Sequence, residues 1–189
     1  MGLSIHYYGQ INQIERIDEL ITEVTDICQS LNWTSQIIKE PNADKLNGLY
    51  FAPEGSEPVF LTFLPEGRMC SPINLMCRDI YTEKGLDGEL LYTSSTKTQY
   101  AGIDVHIAII KLLRYLKEKY FSVFDMIDEG MYWETNDKKI LQSQFYKYEF
   151  ALNSLTAALS EMKTVPGETA TSLADRIEEM LKNKLKDNE

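Results

Sequence analysis

One change of period constrains this chain most. Ile11, Ile14, Ile17, Ile21, Val24, Cys28 and Leu31 recur at intervals of three and four, which marks one apolar face of a helix over 11–31. The stretches that follow, "WTSQIIKE", "LNGLYFAPE", "PVFLTFLPEG", "GRMCSPINL" and "ELLYTSSTKTQ", are short and rich in β-formers. Pro, Gly, Asn or Asp separates them, so each is predicted to be a strand. Residues 3–8, "LSIHYY", predict another. Strands that cluster in runs rather than alternating with helices predict an α+β fold. Its sheet is expected to be mainly antiparallel, with helices packed on one face.

Pro65-Glu66-Gly67 predicts a hairpin turn between 58–64 and 68–71. Within 59–64 apolar side chains occupy both parities, which predicts a central strand covered on both faces. A second helix is expected over 102–120, where His106, Ile109, Leu113, Leu116 and Tyr120 share a face. "SVFDMID" at 122–128 predicts a strand ending in Asp128-Glu129-Gly130, and "MYWET" is expected to extend the sheet. In a third helix, 137–162, Leu141, Phe145, Tyr148, Leu152, Leu155, Leu159 and Met162 alternate steps of four and three. That 3.5-residue repeat runs over three heptads. A C-terminal amphipathic helix is expected over 170–186, with Leu173, Ile177, Met180, Leu181 and Leu185 on its apolar stripe. The organisation predicted is one α+β domain over 1–162, then a linker and helical tail over 163–189.

The chain has 189 residues, 43% of them apolar, and a formal net charge of −10. Nonspecific nucleic-acid binding needs a basic surface, so no nucleic-acid partner is expected. No run approaches the roughly 20 apolar residues of a membrane span. The start "MGLSIHYYGQ" has neither a basic nor an apolar signal region. Three cysteines without CxxC spacing argue against a disulfide framework and a zinc site. These features together predict a cytoplasmic protein. Charge is uneven: residues 91–120 hold Lys97, Lys111, Arg114, Lys117 and Lys119 against Asp104 and Glu118, a local +3.

That basic segment contains the stretch most suggestive of a site. Thr93, Ser94, Ser95, Thr96 and Thr98 surround Lys97 ahead of a helix start, the ingredients of anion binding. The pattern GxxxxGK[ST] is absent, and an edge strand with a wet hydroxyl face explains the same residues. Of the two histidines, His6 falls on the first strand and His106 in the first turn of the second helix. A histidine on an apolar face is more often a hydrogen-bonded core residue than a ligand. HExxH, Hx(3–5)H and HxE do not occur, so neither a metal site nor a cofactor is expected. Asp128 and Glu129 are candidates for acid–base work, although Asp-Glu-Gly also closes turns. GxSxG and GxGxxG are missing. In an antiparallel layout Lys97, Thr98, His106, Asp128, Glu129 and Trp133 are expected to converge. His106, Asp128 and Glu129 are then the catalytic candidates, and Lys97, Thr98 and Trp133 the ligand-binding ones.

"TKTQYAG", then His106 leading "IAIIKLLRYL", then "DEGMYWET" resemble an uncharacterised family of bacterial cytosolic proteins over residues 3–150. That resemblance implies a bacterial origin and no particular activity. The layout of a small acidic α+β protein with long packing helices is similar to bacterial secretion chaperones, although here the first element is a strand. The expected function is non-catalytic binding of a protein partner or a small ligand. The alternative is a small hydrolase or transferase acting on an anionic substrate with the residues of 97–133. A homodimer is expected from the long apolar repeat of the third helix.

Overall fold

The computed structural model describes residues 3–39, 46–86, 88, 90–161, 167 and 169–186. The expected boundary at 162/163 and Met162 lie outside these residues, as do the side chains of Leu181 and Leu185. Elements follow in the order β1 (Ser4–Gln10), α1 (Arg16–Ser30), β2 (Thr34–Lys39), β3 (Asn47–Ala52), β4 (Val59–Phe63), α2 (Pro72–Met76), α3 (Arg78–Glu83), β5 (Ser94–Lys97), α4 (Ile103–Tyr120), β6 (Val123–Asp128), α5 (Tyr132–Thr135), α6 (Lys138–Glu161) and α7 (Ala170–Lys186). Two compact units make up the chain, residues 1–144 and 145–189.

All described strands belong to the first unit. They form two three-stranded sheets, β5-β1-β6 and β2-β3-β4, in which every pairing is antiparallel. The class is therefore α+β, with the strands shared between two sheets. In the first sheet the period-2 alternation is clean. Ile5 and Tyr7 of β1, Phe124, Met126 and Asp128 of β6, and Ser94 and Thr96 of β5 are buried. His6, Tyr8, Asp125, Ile127 and Ser95 take the opposite parity. The buried stripe of α4 consists of His106, Ile109, Ile110, Leu112, Leu113, Leu116 and Tyr120.

Helix α1 buries Ile17, Leu20, Ile21, Val24 and Cys28 against β2, β3 and α4. It stops in a Schellman arrangement. Asn32 takes φ 54°, its N–H donates to the Gln29 carbonyl, and Trp33 N–H donates to Cys28 at 2.8 Å. Asn tolerates the left-handed conformation that this cap requires. Trp33 then stacks on Phe51 of β3 with ring centroids 5.6 Å apart. At the other contact of α1, Glu23 accepts from Lys119 Nζ at 2.7 Å, Tyr115 at 2.7 Å and Tyr120 at 2.5 Å. Burial pushes the Glu23 carboxyl up, but these donors outweigh it and hold the group down at about 2.

Three sequence expectations change. Strand β4 ends its sheet; it is not central. Val59, Leu61 and Phe63 on one face are fully buried, while on the other face Thr62 is buried and Phe60 half-buried. Its outer edge meets side chains. The Tyr7 hydroxyl accepts the Phe60 N–H at 2.9 Å and donates to the Phe60 carbonyl at 3.1 Å, standing in for a strand neighbour. Second, "GRMCSPINL" gives a bridge at Met69 and then helix α2. Ser71 accepts the Asn74 N–H and Pro72 opens the helix, which is the usual start chemistry. Third, "MYWET" does not extend the sheet; Tyr132–Thr135 is the short helix α5.

The hairpin expected at Pro65-Glu66-Gly67 forms, with Gly67 N–H donating to Leu64 and Leu64 N–H to Arg68. Gly67 has φ +79°, and a Cβ there would collide with the Ile11 carbonyl. Among the described residues no helix is long and apolar enough to cross a membrane.

Candidate functional site

The residues expected to converge do so only in part. Thr98, His106 and Asp128 meet in one buried chain of hydrogen bonds. Thr98 Oγ1 lies 2.7 Å from His106 Nδ1, and His106 Nε2 lies 3.1 Å from Asp128 Oδ1. Their positions follow from the fold. Thr98 comes just after β5, His106 ends the first turn of α4, and Asp128 is the last inward residue of β6.

Asp128 also organises the turn that follows it. Its Oδ1 accepts Gly130 N–H at 2.7 Å, and its Oδ2 accepts Tyr132 N–H at 2.7 Å and Trp133 N–H at 3.0 Å. The last two donors are the otherwise unpaired N–H groups at the start of α5. Burial pushes the Asp128 carboxyl up. The His106 hydrogen bond and charge, with the N–H groups of Trp133 and Gly130, outweigh that and hold it below the ordinary carboxylate range. An ionised Asp128 can only accept, so Nε2–H donates to it. On the other side of the ring Nδ1 pairs with the Thr98 hydroxyl, which also reaches Leu3 O at 3.3 Å. Gly130 leaves room here: a Cβ would lie 3.0 Å from both Asp128 Oδ1 and His106 Nε2 and 2.5 Å from the end of the Leu141 side chain, crowding the hydrogen-bonded chain.

This chain is sealed. Thr98 and His106 are 0% exposed and Asp128 is 3% exposed. Its order of groups is that of a hydroxyl–imidazole–carboxylate catalytic set, but its place is in the core, where it ties β5, α4 and β6 together.

The side chains of the other candidates lie elsewhere. The Trp133 ring packs against Phe124 at 6.0 Å, with the Arg114 guanidinium 5.2 Å and the Lys117 ammonium 5.3 Å from its centroid. Lys97 uses its backbone, donating from N to Glu57 Oε2 at 3.0 Å and accepting Glu57 N–H at 2.9 Å. Glu129 faces outward. Its N–H donates to Ser4 O at 3.1 Å and its Oε2 accepts Ser4 N–H at 2.7 Å, a reciprocal pair that fixes the carboxylate. Its Oε1 stands 3.7 Å from His6 Nε2.

His6 leads to the accessible site. Cross-strand register sets His6 opposite Ser95, and His6 Nδ1 lies 2.6 Å from Ser95 Oγ. Both line a cavity of about 390 Å³. Ser71, Asn74 and Thr93 add polar groups to its lining, and Phe60, Ile73, Tyr81 and Leu90 add apolar and aromatic surface. Asn74 braces the wall. Its Nδ2 lies 3.0 Å from Leu90 O, 3.3 Å from Leu91 O and 2.7 Å from Thr93 O. Behind that wall Leu46, Cys70 and Leu91 form a small core with Ile38, Leu64, Leu75, Tyr81 and Tyr92 packed on it.

Sequence reasoning placed the site at 97–133; it weighed Thr93 and Ser95 as anion-binding hydroxyls and His6 as a first-strand histidine without joining them, and it left out Phe60, Ser71, Ile73, Asn74, Tyr81 and Leu90. The available signal was parity: His6 is the polar residue between Ile5 and Tyr7, and Ser95 lies between Ser94 and Thr96 in a strand of hydroxyls. Among the described residues no group of three or more His, Cys, Asp or Glu is placed to hold a metal ion. No family model, curated protein or solved structure matches the chain.

Proposed function

We propose that the chain is a binding protein whose cavity takes a small, uncharged organic molecule with one hydrogen-bonding end. The cavity itself supports this reading. Its volume of about 390 Å³ falls among those of small-molecule sites. His6, Ser71, Thr93 and Ser95 bring donors and acceptors, while Phe60, Ile73 and Leu90 supply apolar contact. No Lys or Arg is among the described lining residues, so the chemistry favours a neutral ligand over the anionic one anticipated from Lys97 and its hydroxyl neighbours.

Ligand-observed NMR with a library of neutral aromatic and aliphatic fragments tests the proposal. Hits are expected to compete with one another for one site. Ile73→Trp, at an exposed lining position, is expected to fill the cavity and weaken them at least tenfold while leaving the protein folded. Fragments indifferent to Ile73→Trp, or none binding at millimolar concentration, would overturn it.

A second copy of the chain is the partner we infer for the unit 145–189. In that unit the 3.5-residue seam of α6 leaves Leu152 42% and Leu159 45% exposed, beside Phe150 at 45%. A two-fold contact is the commonest closure of such a surface. Light scattering is expected to give twice the chain mass of 21.8 kDa at micromolar concentration; a monomer mass would remove the dimer.

A further inference from the structure

Two hydroxyl–imidazole–carboxylate chains lie on opposite faces of the first sheet. Thr98–His106–Asp128 points inward; Ser95–His6–Glu129 points outward. In both, the hydroxyl meets Nδ1 and the carboxylate faces Nε2, and the two carboxylates are neighbours in sequence. They differ in the carboxylate contact, a hydrogen bond in the inner chain and an ion-pair approach of 3.7 Å in the outer one, and in access. The inner chain is sealed, whereas the side chains of His6 and Glu129 are 36% and 35% exposed and Ser95 is an exposed residue of the cavity wall.

We propose that Ser95 is an acyl-accepting nucleophile, with His6 as its base and Glu129 as the positioning carboxylate, and that the cavity takes a small uncharged carboxylic ester. This rests on the cavity being a ligand site. The hydrogen-bond logic is local. Ser95 Oγ–H donates to Nδ1 only when the imidazole proton is on Nε2, the nitrogen facing Glu129 Oε1. Glu129 cannot swing freely, because its Oε2 is held by Ser4 N–H. It therefore favours the tautomer that leaves the Nδ1 lone pair on Ser95, and it opposes the charge that develops when the ring takes a second proton. A cross-strand Ser–His pair also stabilises a sheet; the cavity and the anchored carboxylate are what an ordinary pair lacks.

The step balances without a further reactant. As Ser95 Oγ bonds to the ester carbonyl carbon, its proton passes to His6 Nδ1. Collapse breaks the bond to the alkoxy oxygen, which leaves as the alcohol carrying that proton. Water then attacks the acyl-serine, giving a proton through Nδ1 back to Ser95 Oγ, and the carboxylic acid departs. Ser71 and Thr93 bring further hydroxyls to the same lining. The Ser71 oxygen accepts the Asn74 N–H and keeps an O–H to donate to a carbonyl oxygen.

Diisopropyl fluorophosphate is the probe, followed by intact mass and peptide mapping of the full chain. One modification is expected, at Ser95. It should be lost in Ser95→Ala and slowed at least a hundredfold in His6→Gln, within the range for removing a general base. Glu129→Ala should slow it about tenfold and Glu129→Asp should restore part of the rate; a carboxylate needed only for folding would not give that graded rescue. Circular dichroism verifies that each variant is folded. Modification elsewhere only, none at all, or an equal rate at Ser95 in wild type and His6→Gln overturns the proposal. The fragment experiment is run on the same samples. Fragments that bind while Ser95 stays inert sink the nucleophile and leave the cavity reading standing. Failure of both sinks the cavity reading as well.

Discussion

Asp128→Ala is expected to destabilise the protein by about 3–5 kcal/mol, the cost of removing one partner from a buried charged hydrogen-bond set. Asp128 is the common acceptor for His106 Nε2 and for the N–H groups of Gly130, Tyr132 and Trp133. Alanine leaves all four donors without it, three of them buried and the Trp133 N–H part-buried, and each stranded buried backbone group adds about 1–3 kcal/mol of desolvation before relaxation. Relaxation recovers part of this by letting α5 unwind. Domains of this size have roughly 5–15 kcal/mol of stability, so the variant should be marginal. Asp128→Asn is the milder change, since it keeps one oxygen for the turn but turns an NH2 group toward a remaining donor. Acid should mimic the substitution. The carboxyl is held below its ordinary value of 3.8. Its contribution is therefore present above that value and is lost as the pH falls below it, through the folded-state value. Urea unfolding of both variants at pH 7 gives the measurement; a loss under 1 kcal/mol for Asp128→Ala would mean that the relay does not hold the three elements together.

The elements legible in the sequence were those whose burial is decided by one long periodic face. Helix α1 buries Ile17, Leu20, Ile21, Val24 and Cys28, and α4 buries His106, Ile109, Leu113 and Leu116. Over fifteen or more residues such a pattern has little competition. The failures share a different cause. "MYWET" reads as strand by composition, but the Asp128 carboxylate caps the N–H groups of Tyr132 and Trp133, and a helical turn follows. The cap comes from a residue four and five positions earlier, outside the segment being judged. "SPINL" carried its helix start in plain view, Ser71 before Pro72, and the surrounding β-formers obscured it.

The site was half legible for the same reason. That Asp128 and His106 approach one another follows from a strand end beside a helix start. That His6 meets Ser95 depends on the register of β1 against β5, which a slip of one residue would reverse. Nothing local in "LSIHYY" or "TSSTKT" sets that register. It is set by the buried partners, Ile5 opposite Thr96 and Tyr7 opposite Ser94, together with the reach of Tyr7 to β4.

That reach carries the second large effect. Tyr7→Phe is expected to cost about 1–3 kcal/mol at pH 7, although it removes a single oxygen. The hydroxyl both accepts from and donates to the backbone of Phe60, with Thr96 Oγ1 at 3.4 Å as a second neighbour. Thr96 gives its own proton to Pro58 O at 3.0 Å, so it offers Tyr7 a lone pair and no replacement donor for Phe60. Phenylalanine fills the same space and leaves an N–H and a C=O of an edge strand without their partner. The effect should also depend on pH in one direction. Burial pushes the Tyr7 hydroxyl up from 10.0 to about 12, against smaller opposing pulls from Thr96 and Phe60. A folded value raised above the unfolded one means that the neutral hydroxyl is what folding retains. The stabilisation is complete below pH 10 and is lost as the pH rises from there through 12. The wild-type advantage over Tyr7→Phe should therefore be full at pH 7 and shrink between pH 10 and 12, while the remaining tyrosines titrate in both proteins and cancel in the difference. Paired urea titrations at pH 7, 10 and 11.5 measure it. Equal stabilities at pH 7, or a difference that stays constant to pH 11.5, would show that the hydroxyl does not complete the edge of β4.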